Sequence, residues 1–213
     1  MIQRVVDRVS QCQRVDGIVI ATTDQPQDQE LIQYCQQQDW NWFAGSEHDV
    51  LRRYVDAAET CSADRIVRIT SDCPLIDPAL IDQVIKRLDG APQPDYACNF
   101  HPRRHFPRGL DCEVMTQDTL RRLDRVAIVP NYREHVTLYV YRHVDQFSIG
   151  SVRSAHDWSY LRWTVDTEQD LHLAQEIYRY FGTTKFNWRD VVQAYAENPG
   201  WIEINRNSIQ KVA

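Results

Sequence analysis

The segment Arg65-Ile-Val-Arg-Ile-Thr-Ser-Asp-Cys-Pro-Leu-Ile-Asp-Pro-Ala-Leu-Ile81 holds a complete strand-to-helix handover. Arg65 to Thr70 suits a buried strand, Pro74 stiffens the turn, Asp77 is placed to cap, and Pro78 sits at the first helical position. Leu80, Ile81, Val84, Ile85 and Leu88 then continue one apolar stripe at helical spacing. The same alternation runs back to the start of the chain. Ile2, Val5, Val6 and Val9 form a helical stripe, Gly17 to Ala21 a strand, and Asp24 with Pro26 can open a helix carrying Leu31, Ile32 and Cys35. Trp40 to Ala44 reads as the next strand, and Ser46 with Asp49 resembles a capping box before Val50, Leu51, Tyr54, Val55 and Ala58. Further on the pattern is less regular, with strands expected near 96–99, 110–115, 147–152 and 161–165 and helices near 117–125, 131–143, 168–181 and 188–197. Repeated strand–helix units predict an α/β fold: a mostly parallel sheet covered on both faces, with a small antiparallel excursion in the second half.

Composition narrows the function classes. At 213 residues, 43% hydrophobic and 25% charged, the chain fits a single globular domain and not a disordered one. A net charge of −6 gives no general attraction for nucleic acid or an anionic membrane. No apolar run reaches the roughly 20 residues of a membrane helix, and the N-terminus lacks the apolar core of a signal peptide. A cytoplasmic protein is expected. The six cysteines form no C-x-x-C pair, so reduced, mostly buried thiols are expected rather than a zinc ribbon or a disulfide framework. Neither G-x-G-x-x-G nor G-x-x-x-x-G-K occurs.

Ligands of open α/β sheets bind beyond the carboxyl ends of strands, which gives weight to two aspartates. Asp72 follows the strand ending at Thr70, and Asp166 follows the strand expected at Leu161 to Val165, directly before a helix. Two carboxylates on strand ends could converge on Mg²⁺, which takes one or two carboxylates together with substrate phosphates. The competing reading is structural: an Asx turn at Asp72 and a helix cap at Asp166 or Thr167, and caps are far commoner than metal ligands. The loop His101-Pro-Arg-Arg-His-Phe-Pro-Arg-Gly-Leu-Asp-Cys-Glu113 gathers Arg103, Arg104 and Arg108 ahead of Asp111 and Glu113. Guanidinium groups in such a loop suit carboxylate or phosphate, or serve only solubility. Arg133-Glu-His135 reads as a surface ion pair on a helix.

Together, Ile66 to Asp77, Pro107-x-Gly-Leu-Asp-x-Glu-Val114, Arg133-Glu-His-Val-Thr137, Leu161-Arg-Trp-Thr-Val-Asp-Thr-x-x-Asp-Leu171 and Trp188 to Asn205 resemble the SpsF-type spore-coat polysaccharide biosynthesis proteins. These are cytidylyltransferases similar to the synthetases of CMP-Kdo and CMP-sialic acids. The resemblance implies a Rossmann-like nucleotide-diphospho-sugar transferase fold and a role in surface polysaccharide biosynthesis. It also implies a reaction in which a hydroxyl of an acidic sugar attacks the α-phosphorus of CTP, releasing pyrophosphate with Mg²⁺ present. Carried over residue by residue, Asp72 and Asp166 become catalytic metal ligands, and Thr70, Ser71 and Asp72 become nucleotide-binding. Arg103, Arg104, Arg108, Asp111, Glu113 and Arg133 become substrate-binding, and relatives suggest a homodimer.

One departure from the family pattern carries a structural expectation. Family members begin with a buried strand and a loop of the form A-R-x-x-S-x-R-L-P-x-K, whereas Met1-Ile-Gln-Arg-Val-Val-Asp-Arg-Val9 aligns with the helix after it. The expected single nucleotidyltransferase-like domain over 1–213 therefore lacks that strand and loop. Two neighbouring strands must then close up, or leave unpaired backbone and an apolar groove. An alternative function follows: a non-catalytic homologue that binds a sugar nucleotide or a partner after losing the loop.

Overall fold

A computed structural model describes residues 1–208. The elements follow in the order α1 (Ile2–Val9), β1 (Val19–Thr23), a 3₁₀ turn (Pro26–Asp28), α2 (Gln29–Gln37), β2 (Asn41–Gly45), α3 (Val50–Thr60), β3 (Arg65–Arg68), α4 (Pro78–Leu88) and β4 (Tyr96–Cys98). After them come β5 (Glu113–Thr116), α5 (Gln117–Val126), α6 (Pro130–Glu134), α7 (Leu138–Arg142), β6 (Ile149–Ser151), α8 (Glu168–Phe181), α9 (Trp188–Glu197) and α10 (Trp201–Ile204). Among the described residues no helix is long and apolar enough to cross a membrane.

β1 and β2 make a two-stranded parallel sheet, and the remaining strands a second sheet in the order β3-β5-β4-β6. β5 is antiparallel to β3 and to β4, and β6 is parallel to β4. Thus β3, β4 and β6 point one way and β5 alone opposes them, which is the expected antiparallel excursion. Alternation along the strands sorts side chains to two faces. Tyr96, Cys98 and Met115 pack with Leu51 and Val55 of α3 and Leu120 and Leu123 of α5. Ala97 and Val114 point the other way, to Val5 and Val9 of α1 and Ile81, Val84, Ile85 and Leu88 of α4. A third cluster, built on α8 and α9, holds Leu161, Trp163, Ile177, Trp188 and Val191.

Two elements differ from the sequence pattern. The helix expected over 131–143 is split into α6 and α7, because Val136 between them takes a left-handed φ of 36°. The strand expected at Leu161 to Val165 is an extended segment with one isolated bridge, Arg108 to Arg162. The ladder stops there because the N–H groups of Trp163 and Thr164 both donate to the carbonyl of Arg108. Where β1 and β3 face one another the strands do not close up. A groove of about 950 Å³ lies between them, with Val19, Ile20 and Ala21 along one bank and Val67, Arg68 and Ile69 along the other.

Asp77 ties the handover loop to the far end of the chain. Its side chain is fully buried; Oδ1 accepts from Leu80 N–H at 2.8 Å, capping α4, and Oδ2 accepts from Trp188 N–H at 2.7 Å at the start of α9. Arg8 of α1 is also buried and donates to the carbonyls of Ile76, Thr184 and Phe186, so the same junction fixes α1. Removing the Asp77 carboxylate leaves two buried N–H groups without partners. Since a lost cap costs about 1 kcal/mol and an unsatisfied buried donor about 1–3 kcal/mol, Asp77→Ala is expected to lower the urea unfolding free energy by about 2–4 kcal/mol.

Candidate active site

Because β5 runs against its neighbours, its amino end lies where β3 and β4 finish: Glu113 is in register with both Arg68 and Cys98. This brings the loop 107–112 to the same sheet edge as the loop 69–77. Backbone hydrogen bonds then lock in the segment 161–166. Arg108 N–H donates to the Leu161 carbonyl at 3.0 Å, Trp163 N–H to the Arg108 carbonyl at 2.6 Å, and Val165 N–H to the Asp72 carbonyl at 2.8 Å. Gly109 permits the crossing. Its φ is +101°, and a Cβ there would stand 2.4 Å from the backbone nitrogen of Thr164.

Asp72 and Asp166 thus sit on adjoining segments. Asp72 Oδ2 accepts from Thr164 Oγ1 at 2.8 Å, and its Oδ1 lies 3.5 Å from the Cys73 thiol. Burial pushes that thiol well above its ordinary pKa, so it remains protonated and donates no charge to the site. The Asp166 carboxylate pairs with Arg162, which is also held by Asp170 through Nε–Oδ1 at 3.0 Å and Nη2–Oδ2 at 3.1 Å. Asp170 is 2% exposed and completes the capping box at the start of α8 with Thr167. Burial alone would raise its pKa, yet hydrogen bonds from Arg162 and Asn205 hold it below the usual carboxylate range.

The arginine loop divides into three roles. Arg103 forms an exposed pair with Asp157 at 2.9 Å and lies at the rim. Arg104 is bound to Asp111 through both guanidinium nitrogens, Nη2–Oδ2 at 2.8 Å, so these two residues satisfy one another. Arg108 is half-buried and no hydrogen bond or ion pair holds its guanidinium among the described residues. Burial first, then Arg104 and Arg162, lower its pKa, while Asp111 and Asp166 oppose the shift. Arg108 is therefore a cation within the electrostatic reach of two other arginines and two carboxylates, with its donors available.

Two expected substrate residues stand elsewhere. Glu113 is 3% exposed and turned inward, with Oε1 accepting from Tyr96 and Thr137 and Oε2 from Arg68. It braces the strand ends from beneath, because β5 directs it into the core. Arg133 is not a same-helix ion pair but clasps Asp49, the cap of α3, at 2.8 and 2.9 Å and also pairs with Asp124. Its contacts therefore join α6 to α3 beyond the end of β2. Thr70 and Ser71 line the carboxyl end of the groove between β1 and β3, beside Arg53 and Arg68.

Sequence reasoning missed Thr164, Arg162 and Asp170, which set the two key aspartates, and Thr22, Thr23 and Asp28. At the end of β1, Asp28 Oδ2 accepts from the Thr22 and Thr23 hydroxyls. The rule that weights polar residues after a strand could have found the threonines. The donor chemistry at Asp72 and Asp166 fits a hard divalent cation: two carboxylates on adjoining segments, within the one or two that Mg²⁺ takes alongside phosphates. No group of three or more His, Cys, Asp and Glu side chains arranged for a metal occurs among the described residues.

Residues 1–186 match the family model described as Cytidylyltransferase. An uncharacterised protein of Methanocaldococcus jannaschii is 31% identical over 215 aligned positions, covering 99% of this chain and 86% of that protein. The spore coat polysaccharide biosynthesis protein SpsF of Bacillus subtilis is 32% identical over 171, covering 78% and 69%. A solved cytidylyltransferase from Leptospira borgpetersenii superposes with a TM-score of 0.89 at 29% identity, covering 99% of this chain and 87% of that one.

The crossing at Gly109 should be intolerant of any side chain. Gly109→Ala combines a strained backbone with a backbone clash, and a fall of more than about 2 kcal/mol in unfolding free energy is expected by urea denaturation. Asp170 supplies an acid dependence. Its folded pKa lies below its unfolded one, so its contribution is complete above about pH 4 and is lost as pH falls through the folded value. Stepwise acidification below that point should cost the native chain more stability than it costs Asp170→Asn.

Proposed function

The chain belongs to the cytidylyltransferase family, and we propose that it transfers CMP from CTP to an acidic sugar with release of pyrophosphate, for surface polysaccharide biosynthesis. The observation that carries this reading is the junction of the loops 69–77, 107–112 and 161–166, which puts Asp72, Asp166 and Arg108 at one sheet edge. In-line displacement at phosphorus depends mainly on positioning and on cations facing the charge that develops. The residues present suit both needs.

Asp72 and Asp166 are the residues that would hold Mg²⁺, which when bound supplies neutralising charge to the triphosphate and the departing pyrophosphate. Thr164 fixes the Asp72 carboxylate through its hydroxyl, and Arg162 together with Asp170 fixes Asp166. Arg108 offers a planar fork of donors that matches a sugar carboxylate or a phosphate in bidentate geometry. Arg104, paired with Asp111 through both Nη atoms, holds the loop in shape, and Glu113 supports the strand ends from within the core. Thr70 and Ser71 stand at the mouth of the groove where the nucleotide would lie against the end of β3.

Pyrophosphate release from CTP with Mg²⁺ and a panel of acidic sugars tests the reading. Asp72→Asn is expected to reduce the rate by about 100-fold or more, as loss of a charge-stabilising group typically does. An unchanged rate in that variant would remove Asp72 from the metal-binding role. Calorimetric binding of CTP with no release for any sugar would instead favour the non-catalytic homologue.

A further inference from the structure

Asp72 and Asp166 are held in place by different means. Asp166 pairs with the cation Arg162, whereas among the described residues the groups that hydrogen-bond to the Asp72 side chain are neutral. Thr164 Oγ1 donates to Oδ2 at 2.8 Å, and the thiol of Cys73, the next residue along the chain, donates to Oδ1 at 3.5 Å. Both donors are rooted in the interior, Thr164 at 4% exposure and Cys73 at 2%. The carboxylate between them is only half-buried, at the sheet edge.

The Cys73 sulfur also lies 3.3 Å from Thr70 Oγ1. A carboxylate only accepts and a thiol has a single hydrogen, so that hydrogen goes to Asp72 and the Thr70 hydroxyl gives its own to the sulfur. The result is a directed chain from Thr70 through Cys73 to Asp72. Backbone closes the turn around it: Cys73 N–H donates to the Thr70 carbonyl at 3.2 Å, and Ile76 N–H to the Cys73 carbonyl at 3.1 Å. Cys73 belongs to the same core cluster as Ile76, Ile81 and Cys112, which confines the sulfur. As a weak donor, the thiol sets the direction of the carboxylate without cancelling its charge. Each carboxylate oxygen offers about two lone-pair positions, so one on each stays open to a further partner.

We propose that Cys73 is a positioning residue for Asp72, holding its carboxylate in the orientation that admits a divalent cation, and that it acts as a hydrogen-bond donor and not through packing. The proposal rests on Asp72 being a metal ligand. Without the donor, Oδ1 is free to turn, and an incoming cation must order the carboxylate as it binds, which lowers affinity.

The test titrates the full chain with Mn²⁺ and follows the electron paramagnetic resonance of the free ion. Cys73→Ala is expected to weaken binding about tenfold, and Cys73→Ser, which keeps a donor, to stay within about threefold of the native chain. Native affinity in Cys73→Ala, with binding lost in Asp72→Asn, would overturn the proposal and leave Asp72 a ligand. Equal weakening in the alanine and serine variants would overturn it in favour of packing. If the native chain holds no Mn²⁺, or Asp72→Asn holds it as well as the native chain does, the ligand role itself falls and the proposal with it. A second readout needs no alanine variant. The infrared S–H stretch of Cys73, isolated as the difference between the native chain and Cys73→Ser, is expected to shift on adding Mn²⁺. A stretch that stays fixed while the ion binds would overturn the proposal.

Discussion

The N–H of Val165 donating to the carbonyl of Asp72 joins two stretches of chain that lie more than ninety positions apart, and the candidate site has no shape without it. That bond holds only because the 161–166 segment is already docked on Arg108, and the docking holds only because residue 109 has no side chain. Three loops are thus interlocked by backbone alone. Side chains of Asp72, Arg108 and Asp166 inherit their positions from this lattice, which is less compliant than any arrangement of long side chains.

Beneath the lattice the charges are arranged in layers. The Glu113 carboxylate, closed in by Arg68, Tyr96 and Thr137, holds the ends of three strands at fixed spacing. In a low-dielectric interior such a fully partnered group stiffens its surroundings, whereas a half-partnered one would be costly. Above it, Arg104 and Asp111 cancel, and Asp166 and Asp170 share Arg162. The net result is a sheet edge on which the Arg108 guanidinium stands beside the Asp72 and Asp166 carboxylates, each of them already oriented by a neighbour.

What could be read in advance follows the range of the interactions. Asp77 and Pro78 announced the cap and start of α4 because both act within one helical turn, and the stripes of α1, α4, α8 and α9 needed nothing beyond periodicity. That Asp72 and Asp166 share one sheet edge followed from the rule that strand ends gather there, whereas preferring metal ligation to capping rested on the family resemblance, since caps and metal ligands look alike in isolation. The partners of those residues were not legible. Thr164 reaches Asp72, and Arg133 reaches Asp49, across 92 and 84 positions respectively, and no local pattern encodes such a meeting. Glu113 belongs with these: the resemblance carried it over as a substrate residue, and β5 turns its carboxylate into the core, where Arg68, Tyr96 and Thr137 enclose it. The segment 161–165 has strand composition yet lacks a ladder, because two of its N–H groups converge on one carbonyl.

The separation of β1 and β2 from the other four strands has a consequence for cooperativity. A two-stranded ribbon with one helix contributes little stability of its own, and here it leans on α1 through Val6 against Ile20 and Cys35, and on α3, rather than on a shared ladder. Its opening need not drag the rest along. The β1–α2–β2 region is therefore the natural first unit to detach under mild stress, while the loops around Asp72, rooted in the larger sheet and in the buried Asp77 junction, outlast it.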